Sequence, residues 1–521
     1  MTLKEKVGQI FQIGFDGKTV TPEIKGMIEN YHIGGIIYFR RNIHLLQQIA
    51  NLSNELQMVA MNRRLKLPLI ISTDQEGGVV TRLTEGTHFP GNMTLGAARN
   101  AELARNAGQA IAGELKAVGI NMDLAPVLDV NNNPSNPVIG VRSFGEDPLL
   151  VAKLGEAFIS GMQSEGIIAC GKHFPGHGDT TVDSHLGLPI VKHEKERLKK
   201  VELYPFIQAI KAGVDSIMTA HICFPAIELK RGVPATLSYN VLTGLLREEL
   251  EYNGLIITDC MEMNAIASTF GTIEGSVMAI EAGSDMVLIS HTLDKQKAAI
   301  EEVIKAVKAG RITEERINQS VMRILKLKDK RIGLKKMPVA DCNKLGKKRG
   351  EEIALQISRQ GVTLVKDRNN LIPIDKSGDV KVMVLDFSAG RTSLVEDDIK
   401  HKSYFVNCLS GQGMKVEYYS FLEKGNKLPS LEGNNQVIVC TYDAVHNPQQ
   451  AKMVKKLQAK GEPLIVLAIR NPYDLNLFPE ISTYLTTYDY SPTNLQVASE
   501  IITGKYEARG VLPITLKALE Q

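Results

Sequence analysis

The sequence predicts an α/β protein: an N-terminal (β/α)8 barrel followed by a C-terminal open αβα sandwich domain. Three observations predict it. Eight short apolar, β-branched runs alternate with amphipathic helical stretches over the first part of the chain. No G-x-G-x-x-G follows the first run, which disfavours the competing open doubly wound sheet. The pattern then restarts with fewer strands after a basic, Pro-containing segment.

In chain order the first eight runs are "GQIFQIGF" (8–15), "IGGIIYF" (33–39), "LPLIIST" (67–73), "INMDLAPVLD" (120–129), "GIIACGKH" (166–173), "SIMTAH" (216–221), "LIITD" (255–259) and "DMVLIS" (285–290). Stretches such as "AELARNAGQAIAGELKAVG" lie between them with helical spacing. Their number and the span 1–330 suit a TIM-type barrel. The segment 331–350 reads as a basic linker. In 351–521, "GEEIALQISRQGVTLV" is a helix leading into a strand. "VKVMVLDFS", "NQVIVCTYD", "PLIVLAIRNPYD" and "STYLTTYDY" are further strands, enough for a three-layer sandwich.

Composition narrows the function classes. The 521 residues are 43% hydrophobic and 23% charged, with 61 basic and 58 acidic side chains and a net charge of +3. That balance gives no electrostatic footprint for nucleic acid or an anionic membrane. No apolar run approaches the about 18 residues of a membrane span, and the first residues do not read as a secretory leader, so the expected location is the cytoplasm, with a trimmed secreted form as the alternative. The six cysteines lack C-x-x-C spacing and read as free thiols, several of them buried, rather than a zinc site. Trp is absent, so any ring stacking on a sugar must come from Phe, Tyr or His.

In a barrel of this type the active site lies at the C-terminal ends of the strands. Ionisable residues collect there: Asp74 after run three, Asp129 at the end of run four, Lys172 and His173 ending run five, His221 run six and Asp259 run seven. Asp259, in "GLIITDCMEM", is either a helix N-cap or a carboxylate nucleophile on a rigid strand end; Glu262 ranks below it. His173 and His177 are four apart, but Pro175, Gly176 and Gly178 forbid a shared helix, so no metal pair is expected. Asp183 and His185, two apart in "VDSH", are spaced for a carboxylate to orient an imidazole that moves protons near neutral pH. A loop pair that only satisfies backbone groups is the alternative. A dyad plus a separate carboxylate suits glycoside hydrolysis with retention, the histidine replacing the usual acid.

Seven segments occur together and in order: "DQEGGVVTRL" (74–83), "NMDLAPVLDVN" (121–131), "GVRSFGEDP" (140–148), "KHFPGHGDTTVDSHLGLP" (172–189), "IMTAHI" (217–222), "PATLS" (234–238) and "IITDCMEM" (256–263). They resemble glycoside hydrolase family 3, in particular its β-N-acetylglucosaminidase branch. "SRQGVTLVKDRNNLIPI", "NPYD" and "GVLPITL" extend the resemblance through the second domain. It implies Asp259 as nucleophile, His185 as acid/base and Asp183 as its orienting partner. It also implies that Asp74, Arg82, Arg142, Lys172 and His173 hold the non-reducing sugar. No cofactor or metal is implied, and the second domain need not supply catalysis. Val79 and Val80 depart from the family pattern and Cys260 sits where the family varies; neither departure touches the implied mechanism, and both are expected to act on what is tolerated beyond the first sugar.

The leading expectation is a retaining exo-β-N-acetylglucosaminidase. It would release GlcNAc from peptidoglycan-derived muropeptides or chitooligosaccharides. The alternatives are a β-N-acetylglucosaminide phosphorylase or broader β-glycosidase on the same scaffold, and a non-catalytic sugar-binding protein.

Overall fold

A computed structural model of the chain describes residues 1–185, 187–335, 337–375, 380–387, 393, 395–396, 404–424, 428–434 and 436–520. Eight parallel strands close into a barrel in chain order: β1 (Phe11–Ile13), β2 (Gly35–Ile37), β3 (Ile70–Thr73), β4 (Met122–Asp123), β5 (Ile168–Phe174), β6 (Ser216–Thr219), β7 (Leu255–Cys260) and β8 (Met286–Ile289). β8 pairs back onto β1, with Phe11 opposite Val287. The interior is filled by side chains and helices cover the outside, so both faces of the strands are covered and their residues are mostly apolar. This is why runs such as "MVLI" of β8 are continuous rather than alternating, and all four of its residues are buried.

The strands are shorter than the runs that predicted them, for local reasons. Gly8 and Gln9 belong to a first helix, Leu3–Gln9, started by a Thr2–Glu5 capping box. The run 120–129 pairs only at Met122–Asp123, because Pro126 has no N–H to donate; contact resumes as a single bridge between Val127 and Lys172. A two-stranded hairpin absent from the sequence reading, Gln75–Gly77 with Val80–Thr81, follows β3. Its turn needs glycines: Gly77 and Gly78 have φ of 84° and 56°.

The second unit is a six-stranded mixed sheet: β9 (Thr363–Asp367), β10 (Lys381–Asp386), β11 (Lys415–Ser420), β12 (Gln436–Thr441), β13 (Leu464–Ala468) and β14 (Thr483–Thr486). Its order is β9-β14-β13-β12-β10-β11, with only the β9–β14 pair antiparallel. β11, "KVEYYS", is an edge strand with Lys415 and Glu417 exposed, and this polar pattern hid it from the sequence reading. Ser388 and Asn435, at the ends of two predicted strands, lie outside the described residues.

The two units pack closely. Asp489 Oδ2 accepts hydrogen bonds from Gly91 N (2.8 Å) and Thr94 Oγ1 (3.0 Å). Val511 N donates to Ala97 O (3.0 Å) and Asn131 Nδ2 to Tyr473 Oη (3.2 Å). Val79 and Val80 are buried in the apolar core of the second unit. They serve the interdomain seam and do not line the cavity described below. Four cysteines are buried, while Cys342 and Cys408 are half-buried; these six are free thiols. Among the described residues no helix is long and apolar enough to cross a membrane.

Candidate active site

A cavity of about 350 Å³ opens at the C-terminal ends of the barrel strands, within the about 300–1,000 Å³ of typical small-molecule sites. Asp74, Arg82, Arg142, Lys172, His173, His185 and Asp259 all line it. Asp183 does not; it stands behind His185.

β7 delivers Asp259. Its Oδ1 accepts the backbone N–H of Cys260 at 2.6 Å. Burial would push this carboxyl up, but the charges of His221, His173 and His185 outweigh burial and hold it below the ordinary carboxylate range. His221 is fully buried, and its Nε2 donates to Cys260 O, on the residue after Asp259, at 3.0 Å. Its Nδ1 meets Thr236 Oγ1 at 2.8 Å, which explains why "PATLS" accompanies "IMTAHI". Glu262 is turned away from this chemistry. It accepts the backbone N–H groups of His291 and Thr292.

One wall of the cavity is a buried charge network. Lys172 Nζ lies 2.8 Å from Asp74 Oδ1 and 2.7 Å from Glu76 Oε1. Arg142 grips Glu76 with two bonds, Nε to Oε2 at 2.9 Å and Nη2 to Oε1 at 2.8 Å. Arg82 Nη2 is 4.0 Å from Asp74 Oδ2. Glu76 was absent from the sequence reading, although it stands inside the quoted "DQEGG". Its signal was the pair of buried cations, which need more than the one carboxylate of Asp74 to neutralise them. Burial opposes ionisation of Glu76, yet Arg142 and Lys172 hold its carboxyl far below the ordinary value of 4.5.

Two outcomes follow for Glu76. Glu76→Ala leaves buried Arg142 without its carboxylate and Lys172 with Asp74 alone, and is expected to lower unfolding stability by about 3 kcal/mol, read by urea denaturation. Because the folded value is depressed, the stabilisation is complete above about pH 4.5 and is lost as pH falls through the folded value. Below pH 4.5 the parent protein should therefore lose stability with pH more steeply than Glu76→Gln.

The segment after β5 is pinned at several points. Asp129 accepts His173 Nδ1–H at 2.8 Å and His177 N–H at 2.7 Å. With Nδ1 so held, His173 turns Nε2 to the cavity. Gly178 presses on Val130 so closely that a Cβ there would come 1.7 Å from its carbonyl oxygen. His177 bonds Thr180 Oγ1 at 2.9 Å and Ser184 Oγ at 3.0 Å. Burial and the neighbouring His173 push His177 down to about 4, so it is neutral and serves as a brace. Ser184 lies between the dyad residues. Asp183 Oδ1 accepts both the backbone N–H and the Nδ1–H of His185, at 2.8 and 2.7 Å. This fixes the tautomer and leaves Nε2 as the imidazole's working atom. Burial opposes ionisation of Asp183, but the bond to His185 wins and keeps it a carboxylate.

The second unit also reaches the cavity. Val395 lines it and packs on Val127, Val138 and Ile139. Next to Val395, Glu396 is buried against Arg470, which also bonds Asp443 at 3.1 Å. Sequence reasoning had no signal for this contact, because Val395 lies in no apolar run.

Among the described residues, two mixed groups bring possible metal ligands within 4.8 Å of one another: Cys260–Glu262–His291 and Asp179–His193–Glu202. In both the glutamate is already engaged. Glu262 caps two backbone N–H groups, and Glu202 takes both carboxylate oxygens to Arg197 at 2.8 Å.

Comparison with known proteins places these residues in context. Residues 2–327 match the family model described as "Glycosyl hydrolase family 3 N terminal domain". The chain is 31% identical to "Beta-hexosaminidase A" of Pseudoalteromonas piscicida, over 96% of this chain and 92% of that one. It is 28% identical to "Beta-N-acetylglucosaminidase/beta-glucosidase" of Cellulomonas fimi, over 98% and 93%. Among solved structures, a glycoside hydrolase family 3 β-N-acetylglucosaminidase from Paenibacillus sp. str. FPU-7 superposes with a TM-score of 0.91 at 42% identity, over 99% of both chains. A β-glucoside phosphorylase, at 22% identity and a TM-score of 0.87, shares the fold.

Proposed function

This chain belongs to glycosyl hydrolase family 3, and from that membership we propose that it is a retaining exo-β-N-acetylglucosaminidase. It removes GlcNAc from the non-reducing end of muropeptides or chitooligosaccharides. The observation that carries the reading is the shared cavity of Asp259 and His185, the first held ionised and the second oriented by Asp183.

The chemistry runs in two displacements. The sugar enters with its hydroxyls toward Asp74, Arg82, Arg142, Lys172 and His173. Asp259 attacks the anomeric carbon and forms a glycosyl ester, while the cationic His185 gives its Nε2 proton to the departing oxygen. Asp183 stabilises the imidazolium before that transfer. In the second step neutral His185 takes a proton from water at Nε2. The water attacks the anomeric carbon and releases Asp259, and two inversions give net retention.

A panel of aryl β-GlcNAc, β-glucose and β-xylose glycosides, each run with and without phosphate, tests the assignment. The expected result is fastest turnover of the β-GlcNAc glycoside, with free GlcNAc as product in both conditions. GlcNAc-1-phosphate as the main product when phosphate is present would replace the hydrolase by a phosphorylase.

A further inference from the structure

We infer that Cys260, Glu262 and His291 form a binding site for a zinc-type divalent cation on the wall of the active-site cavity, and that the bound ion shuts the cavity off. The second clause rests on the activity proposed above; the first does not.

The three residues come from two neighbouring strand ends. Cys260 ends β7, Glu262 follows it by two residues, and His291 stands two past β8. The Cys260 Sγ, a Glu262 carboxylate oxygen and a His291 ring nitrogen lie within 4.8 Å of one another. Zinc bonds of about 2.0–2.3 Å put tetrahedral ligand atoms about 3.5 Å apart. A small rotation of the exposed His291 ring, flanked by Phe39 at 5.4 Å, closes the set. A thiolate, an imidazole and a carboxylate together select a zinc-type ion over magnesium or calcium, which take oxygen ligands.

Each ligand is oriented without being neutralised. Glu262 accepts the backbone N–H groups of His291 at 2.6 Å and Thr292 at 3.2 Å. Uncharged donors fix a carboxylate but leave its charge and further lone pairs for a metal. Glu202, in the other mixed group, differs because a guanidinium takes both of its oxygens. Lys295 Nζ approaches Glu262 only to 3.7 Å. Burial and Arg41 hold His291 below its ordinary value, so the imidazole is the neutral ligand a metal needs. Arg41 Nη1 meets His291 Nδ1 in a long contact of 3.4 Å. Shorter bonds to Ser290 O at 2.6 Å and Asp16 at 2.7 Å anchor that guanidinium and offset its charge. Burial pushes the Cys260 thiol up to about 11, so it releases its proton to solvent as the sulfur–metal bond forms. Ser290 favours the thiolate. Its own Oγ is fully buried and has no oxygen or nitrogen partner among the described residues.

The place of the ion gives the consequence. Cys260, Ser290, His291 and Asp259 line the same cavity of about 350 Å³. Three protein ligands leave a fourth position open, and with two of them on the cavity wall that position faces the cavity. The Asp259 charge already acts on Cys260. A dication held there draws that charge away from the anomeric carbon and takes space the sugar needs.

Cobalt(II) added to the metal-free protein is the direct probe, because a cobalt–thiolate bond gives a near-ultraviolet charge-transfer band. One equivalent should produce the band, zinc should remove it by displacement, and Cys260→Ala should abolish it. Glu262→Gln and His291→Ala should each weaken cobalt binding about tenfold or more. On an aryl β-GlcNAc glycoside, zinc should inhibit the unsubstituted enzyme and EDTA should restore it. Glu262→Gln should turn over normally without metal but need about tenfold more zinc for equal inhibition. No band, or a band that survives in Cys260→Ala, overturns the site. A band with turnover undiminished by zinc overturns the blockade. Absence of turnover by the metal-free enzyme overturns the proposed activity and the blockade with it, while the band still decides the site.

Discussion

Asp259→Asn should lower kcat/KM on an aryl β-GlcNAc glycoside by about four orders of magnitude while leaving the thermal unfolding temperature nearly unchanged. The size follows from the role. An amide cannot form the glycosyl ester, so every substrate loses the first displacement, whatever its leaving group. Folding is spared because Oδ1 keeps its place as acceptor for Cys260 N–H. Removing the charge also relieves no buried cation of its only partner, since the cations of the charged cavity wall are neutralised by Asp74 and Glu76. A loss of less than tenfold would show that another group makes the covalent bond.

His185→Ala should separate substrates by leaving group. On chitobiose, kcat/KM should fall by about 10²–10⁴-fold, because an alkoxide needs a proton to depart. On a dinitrophenyl glycoside, kcat/KM should change little, because that leaving group departs unprotonated. The glycosyl-enzyme should then accumulate, since no base activates water for the second step, and added azide should restore turnover by attacking in its place. Equal losses on both substrates would remove His185 from proton transfer. Asp183→Asn should show the same ordering with smaller losses, as Asp183 acts only through the imidazole it orients.

The barrel and the sandwich were legible in the sequence because burial on both strand faces writes continuous apolar runs. β8 is an example, as is β12, with six buried residues. β11 escaped because an edge strand writes a half-polar pattern. The site was legible where a motif placed an ionisable residue at a strand end, as for Asp259, or two residues apart, as for Asp183 and His185. Glu76 was not, although it is adjacent to residues that were named. Its partner Arg142 is 66 positions away, and nothing in the local pattern distinguishes a carboxylate that neutralises two buried cations from one that caps a turn.

The sequence by itself determined the fold class, the strand ends that carry ionisable residues, and the residue types available there: a carboxylate, a His–Asp pair and a basic wall. Only the tertiary structure decided which charges neutralise which, that His221 acts on Asp259, and that Val79 and Val80 belong to the domain seam. It alone brought Val395 to the cavity and set Phe39 against His291 across β1. The physical reason is range. Periodicity and turn chemistry report what each residue's near neighbours in the chain allow, whereas these pairings exist only once the barrel closes and the second unit docks. Asn131 and Tyr473 then bond across 342 positions.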